Sequence, residues 1–387
     1  MGDDLSRPAD RERRLLVVAG EPSGDAHAAR LVRALKRTGR WRMRGMAGPL
    51  LRAAGVEPVV RQEDLAVIGF SGILAKLPAL LSARGKLLAE MKSFQPDVVL
   101  LVDYPGFNLR LGPQLKSRGA RVLYYIAPQV WAWHAERAKE MARWVDRLAV
   151  VFPFEETLFR QAGVRTTFVG HPLLDDLAPE VDEAKFRSEL GVTSAATIVG
   201  LLPGSRRAEL AAHARVLLEA GRLLRAQHPA RGIVPVLALA PGLSLDHVPS
   251  DLLATARVVT ERTHCVQAYS ACCAVASGTA TLETAIFGTP LAVVYRVGKL
   301  NHAIARRVIK LEHIGLPNIV AGREVAPELL QDALDPARLA AMLGGWLANP
   351  AALERRRADL AVVRERLGGP GASARAAELV GELAGPA

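Results

Sequence analysis

Two stretches of this chain put small residues beside one charged group at the point where an apolar run gives way to a helical pattern. The first is LLPGSRRAEL, residues 201–210. A strand ends near Leu202, a tight Pro203-Gly204-Ser205 turn follows, and a helix begins. Backbone N–H groups at such a start attract an anion, Gly204 permits close approach, and Arg206 adds a planar fork that matches phosphate oxygens. The competing reading is an ordinary strand-to-helix turn. The GxxxxGK[ST] pattern of a P-loop is absent. The second stretch is SGTATLETAIFGTP, residues 277–290. Ser277, Gly278, Thr279 and Ala280 open a helix that Thr279 is predicted to cap, and Gly288 with Pro290 closes it. Glu283 lies one turn in. A carboxylate there accepts bonds from ribose hydroxyls, or merely complements the helix dipole.

Carboxylates mark two more turns. VDYPGFNLRL (102–111) sets Asp103 at the C-terminal end of the most apolar run, DVVLLVD. That position suits a general base, or a residue capping the next turn. VAGEPSGDAHAARLVRALK (18–36) places Glu21 and Asp25 in a turn with no lysine, which is unlike a phosphate loop. LPNIVAGREVAPELLQ (316–331) offers Asn318, Arg323 and Gln331 among apolar residues; singly, these read as surface polar groups.

The elements that must hold these turns are short apolar runs alternating with helical patterns. The runs LLVVAG, DVVLLVD, RVLYYIAP, DRLAVVFP and RTTFVGHP form one series. After the polar stretch PEVDEAKFRSELGV, a second runs through TIVGLLPGSR, VPVLALAP, ARVVTE, CAVAS and PLAVVYRV. Near-continuous apolar strands belong in parallel sheets covered on both faces, so the fold class is α/β, with two doubly wound Rossmann-like domains facing a cleft. The boundaries predicted are 1–178, 179–365 and a last helix over 366–387 that packs back toward the first domain. Trp131 and Trp133 read as domain core.

The chain has 387 residues, half of them hydrophobic, and a formal net charge of +11. That length predicts two domains, and the basic balance suits an anionic partner. Cys265, Cys272 and Cys273 form no CxxC pair and read as small core residues. The N-terminus lacks an apolar signal core, and no run reaches the length of a spanning helix. LAVIGFSGILAKLPALL (65–81) carries a single charge, Lys76, with Arg84 and Lys86 following. It is either a buried connection or an apolar surface, flanked by cations, that lies on a bilayer or holds acyl chains. From Arg30 to Arg52 there are eight basic residues and no acid. This stretch is either a solvated face or a patch that meets anionic lipid.

Taken together, AGEPSGD, VDYPGFN, PQVWAW, FPFE, GHPLLD, LLPGSRRAEL, SGTATLE, YRV and LPNIVAGRE…ELLQ resemble, in order and through nearly the whole chain, the lipid-A-disaccharide synthases of Gram-negative bacteria. Only Ala29, where a smaller residue such as Gly is expected, departs locally. The resemblance implies an inverting glycosyltransferase of the two-domain GT-B type. It would join UDP-2,3-diacylglucosamine to 2,3-diacylglucosamine 1-phosphate as a β-1,6 disaccharide and release UDP. It implies UDP against Gly204, Ser205, Arg206, Ser277, Gly278, Thr279, Ala280, Glu283, Asn318, Arg323 and Gln331. The acceptor would lie against Glu21, Ser23, Gly24, Asp25 and His171, with Asp103 as catalytic base and His171 in reserve. No cofactor and no metal are expected; no DxD appears, and helix starts with Arg206 would hold the departing diphosphate. Acylated substrates imply peripheral attachment to the cytoplasmic leaflet of the inner membrane, through Val67, Ile68, Phe70 and Leu74. Nucleic acid is not an expected partner, and a homodimer is possible. A UDP-sugar 2-epimerase shares the layout and is the alternative enzyme; a non-enzymatic binder using the basic patches is the third reading.

Overall fold

The computed structural model describes residues 11–66, 73–130, 136–298 and 312–385. The first series of runs forms β1 (Arg13–Ala19), β4 (Val98–Val102), β5 (Val122–Tyr125), β6 (Arg147–Val150) and β7 (Thr166–Phe168). These are joined by β2 (Trp41–Ala47) and β3 (Glu57–Arg61) in one sheet of order β3-β2-β1-β4-β5-β6-β7. The second series forms β8 (Thr197–Leu202), β9 (Ile233–Leu239), β10 (Arg257–Thr260), β11 (Cys272–Ala276), β12 (Leu291–Tyr295) and β13 (Glu328–Leu330), in the order β10-β9-β8-β11-β12-β13. Strands pair in parallel in both sheets. β4 and β11 are buried along their whole length, which is why they read as continuous apolar runs.

The strand order reverses between β1 and β4 in one sheet and between β8 and β11 in the other. At such a switch point the connections leave toward opposite faces, and a crevice opens beyond the carboxyl ends of the strands. Four turns therefore matter. One leads from β1 into helix α1 (Pro22–Leu35); helix α3 (Ile73–Phe94) precedes β4, and the second turn leads from β4 into α4 (Pro105–Lys116). In the second sheet, β8 leads into α5 (Arg207–Gln227) and β11 into α6 (Thr279–Ile286).

The chain divides into two compact units. One runs to Asp175 and resumes at Gly368; the other is Asp176–Leu367. The returning segment is helix α7 (Ala372–Ala384), which packs on α1 and on β4, β5 and β6. Asp175 fixes this return. Its carboxylate accepts from the backbone N–H groups of Gly371 at 2.6 Å and of Ala372 and Ser373 at 3.3 Å, satisfying donors the helix start leaves free.

The basic stretch does not form one patch. It is divided among α1, the turn after it, β2 and helix α2 (Pro49–Ala53), and three of its arginines are paired: Arg42 and Arg44 with Glu57, Arg44 also with Glu90, and Arg52 with Glu63. All three cysteines are free and buried. Among the described residues no helix is long and apolar enough to cross a membrane. Trp131, Trp133, Val67, Ile68, Phe70 and the side chain of Leu74 lie outside the described residues.

Candidate functional site

At the first switch point β1 pairs with β4 through Ala19 and Val102, so the next residues of each strand emerge side by side. β4 is followed by two consecutive left-handed residues, Asp103 (φ 46°) and Tyr104 (φ 49°), before Pro105 starts α4. Such backbone costs about 1–3 kcal/mol per residue and persists only where its surroundings hold it. Here two side chains hold it. Tyr124 Oη donates to the Asp103 carbonyl at 2.7 Å, and Asn108 Nδ2 donates to the same oxygen at 2.8 Å. Both residues are fully buried. The Tyr104 ring lies over Gly20 and stacks on Phe107 with centroids 5.5 Å apart.

Burial, reinforced by the negative charge of Glu21, raises the Asp103 carboxyl from 3.8 to about 6, against the opposing hydrogen bond from the Tyr104 backbone. A carboxyl tuned into that range serves as a base near neutral pH. Glu21 is exposed at the start of α1 and spends no side-chain bond on capping it. Ser23 is also exposed, while Gly24 is buried against the Val102 carbonyl.

Two residues expected on the acceptor side are buried and bonded within the fold. Asp25 is 1% exposed, and its carboxylate accepts from the backbone N–H groups of Gly48 (2.8 Å), Leu50 (2.9 Å) and Leu51 (3.2 Å). It holds the start of α2 and is not free for sugar hydroxyls. His171 is buried against Phe152, and its Nδ1 accepts the Leu173 N–H at 3.2 Å. Burial, with the nearby His27, lowers its pKa to about 3 despite the pull of Asp175, so the ring stays neutral and is not poised as a base.

At the second switch point, Gly204 takes φ +113°, and a Cβ there would lie 2.4 Å from Glu209 Oε2. The carboxylate of Glu209 fills the anion position of the turn. Oε2 accepts from Ser205 N at 2.9 Å and Arg206 N at 3.2 Å, and Oε1 pairs with Arg206 Nη1 at 2.8 Å. The spacing Arg206-x-x-Glu209 was the available signal for this residue. His213 was also missed. It is buried, with Nδ1 2.8 Å from the Pro203 carbonyl and Nε2 accepting the Arg296 N–H, so it ties the β8 turn to the end of β12. Burial holds its pKa below the usual value, and the partners fix the tautomer with the proton on Nδ1.

After β11, Ser277 Oγ donates to Ile314 O, and Gly278, in place of the predicted Thr279, is the cap residue of α6. Thr279 is exposed at the first helical position, because the backbone turns at Gly278 (φ +153°). Glu283 is half-buried and accepts a bond from the fully buried Gln267 Nε2 at 3.0 Å; Gln267 also donates to Ala280 O. Gln267 had no sequence signal, since it reaches Glu283 only through tertiary packing. Asn318, expected against UDP, spends its side chain on its own loop. It is fully buried, its Oδ1 accepts from Val325 N and Ala326 N, and its Nδ2 donates to Ala326 O and Glu328, so its amide braces its own loop. Arg323 is paired with Asp359 at 2.8 Å, and the Gln331 side chain accepts from Val297 N.

Two doubly wound parallel sheets, each with its small-residue turns at the switch point, define a GT-B glycosyltransferase fold. The solved structure of CalG4, the calicheamicin glycosyltransferase, superposes with a TM-score of 0.61 at 18% identity, covering 97% of this chain and 99% of that one. The UDP-GlcNAc 2-epimerase from Neisseria meningitidis bound to UDP-GlcNAc gives 0.59 at 12% identity, covering 95% and 98%. These likenesses show the fold alone. The sequence profile of lipid-A-disaccharide synthetase matches residues 15–378. The lipid-A-disaccharide synthase of Geobacter metallireducens is 42% identical over 96% of this chain and 98% of its own length. That of Syntrophus aciditrophicus is 43% identical over 94% and 96%. The chain belongs to the lipid-A-disaccharide synthase family.

Proposed function

We propose that the chain transfers 2,3-diacylglucosamine from its UDP donor to the 6-hydroxyl of 2,3-diacylglucosamine 1-phosphate, with inversion, giving the β-1,6 disaccharide 1-phosphate and UDP. The observation that carries this reading is the half-buried Asp103, whose backbone carbonyl Tyr124 and Asn108 hold at the first switch point. Asp103 takes the proton of the acceptor hydroxyl as that oxygen attacks the anomeric carbon. The bond from that carbon to the UDP oxygen breaks, and its electron pair leaves with the diphosphate. Glu21 and Ser23 orient sugar hydroxyls; Glu283, set by Gln267, takes the ribose. Incubating the protein with both acylated substrates and recording products by mass spectrometry tests the reaction. A disaccharide together with UDP is the expected result, and an epimerised UDP-sugar without disaccharide would overturn it.

On this reading the diphosphate takes over the Ser205 and Arg206 N–H groups that Glu209 now occupies, and the Arg206 guanidinium follows it. Arg206→Ala should then weaken UDP binding by about 10- to 100-fold, the range for a charge-assisted bond. Calorimetry decides, and unchanged affinity would remove Arg206 from the site.

The acyl chains of both substrates call for contact with a bilayer. Leu77 and Leu81, one turn apart on α3, are 43% and 46% exposed and support peripheral attachment through this helix. Replacing both with serine should reduce co-sedimentation with anionic vesicles several-fold at constant UDP affinity. Wild-type pelleting by the folded double variant would place the attachment elsewhere.

A further inference from the structure

Beside the turn after β1 lies an open cavity of about 520 Å³. That is within the range of small-ligand sites, roughly 300–1,000 Å³. Its walls include Gly20, Pro49, Leu50, Leu65, Leu80 and the Tyr104 ring. Carboxylates also border it, but two of them are spent inside the fold. Asp25 is bound by three backbone N–H groups of the α2 start, and Glu63 makes a two-pronged pair with Arg52 at 2.6 and 2.9 Å. Glu21, on the same turn as Gly20, remains exposed. The cavity thus presents mainly apolar surface, with a free carboxylate on its border.

Two observations say what fills it. Leu50 lines the cavity yet is 46% exposed, and with Leu77 and Leu81 it makes three of the four exposed large hydrophobic side chains among the described residues. Leu77, Leu80 and Leu81 have the spacing of one helix face, so the apolar wall continues out along α3. The cavity is also covalently next to the chemistry: Tyr104 is a wall and Asp103 is the residue before it. A sugar whose hydroxyl meets Asp103 therefore lies beside this wall.

We propose that this cavity holds one acyl chain of the acceptor and so measures its length. The proposal rests on the acceptor reading given above. An extended chain of methylenes matches a mainly apolar slot in which Asp25 and Glu63 are already satisfied and Glu21 stands at the border, and a hydrophobic site discriminates by about tenfold or more per well-placed increment of chain.

The test compares kcat/KM for two detergent-dispersed acceptors, diacylglucosamine 1-phosphates with long and with six-carbon acyl chains. Leu50→Trp, which narrows the cavity, should lower the long-to-short ratio by about tenfold or more. Leu50→Ala, which widens it, should move the ratio the other way. Melting curves establish that each variant folds. A ratio unchanged in both variants overturns the proposal, as does a loss of vesicle binding with the ratio intact, which would make Leu50 a bilayer contact only. A wild-type protein that forms no disaccharide from either acceptor overturns the reaction reading instead. The cavity is then judged by binding of a pyrene-tailed diacylglucosamine 1-phosphate: the proposal expects Leu50→Trp to weaken it, and equal binding by wild type and variant sinks it.

Discussion

Asp103→Asn should lower turnover by about 10²–10⁴-fold, the contribution of a positioned base, while UDP still binds with wild-type affinity. The amide keeps the size and hydrogen-bonding shape of the carboxyl but cannot take a proton. The pH profile supplies an independent check. With its carboxyl raised to about 6, Asp103 is mostly protonated below that pH and idle as a base. Wild-type kcat/KM should therefore climb about tenfold per pH unit up to about 6 and level off above it, and the Asn variant should lack that limb. Stability should move the opposite way. The folded value, about 6, lies above the ordinary 3.8, so between those values the folded protein binds more protons than the unfolded chain. The carboxyl then costs stability as pH rises through this window, and the cost is fully present above 6. Asp103→Asn removes a half-buried charge and should melt higher than wild type at pH 7–8. A variant within a few-fold of wild-type turnover would show that Asp103 is not the base.

Gly20→Ala should cost about 10²-fold in turnover without touching a reacting group. A Cβ at position 20 would lie 2.1 Å from Tyr104 Cδ1 and 2.2 Å from Cε1, so the ring must move. It has little room, because its other neighbour is the buried Phe107. Tyr104 and Asp103 are consecutive left-handed residues, and a shift of one turns the other. A displacement of about 1 Å at a base is enough for a loss of that size. The added methyl should also destabilise by about 1–3 kcal/mol through overpacking. The coupling is measurable: in a Tyr104→Leu background, the added methyl should cost much less than it does alone. Additive losses would mean that Gly20 acts by another route.

Much of this architecture is legible in the residues alone. β1, β4, β6, β9, β11 and β12 are strands buried on both faces, so their apolar runs are unbroken, and glycines punctuate the turns that follow β8 and β11. β2 was not legible as a strand. WRMRGMA alternates arginines with buried residues, and its basic side chains gave a charge pattern before a strand pattern. At the site, the residue types at turns were informative: Asp103 and Arg206 stand where the tertiary structure has a switch point.

What the chain order cannot express is which turns meet and where a polar side chain spends its bonds. Local spacing determines that Asp25 and Asn318 follow glycine- and proline-rich starts, in the same manner as Glu21 and Ser23. Only the packing of α2 against α1 turns Asp25 inward onto three N–H groups, and only the fold of the 325–328 segment closes around Asn318. Gln267 reaches Glu283, and Tyr124 reaches Asp103, across 16 and 21 residues of chain. These contacts are long-range hydrogen bonds between groups whose types are common everywhere. Hydrophobic periodicity is a local property of the sequence, whereas the satisfaction of a buried polar group depends on whatever the completed sheet and helices bring within 3 Å of it.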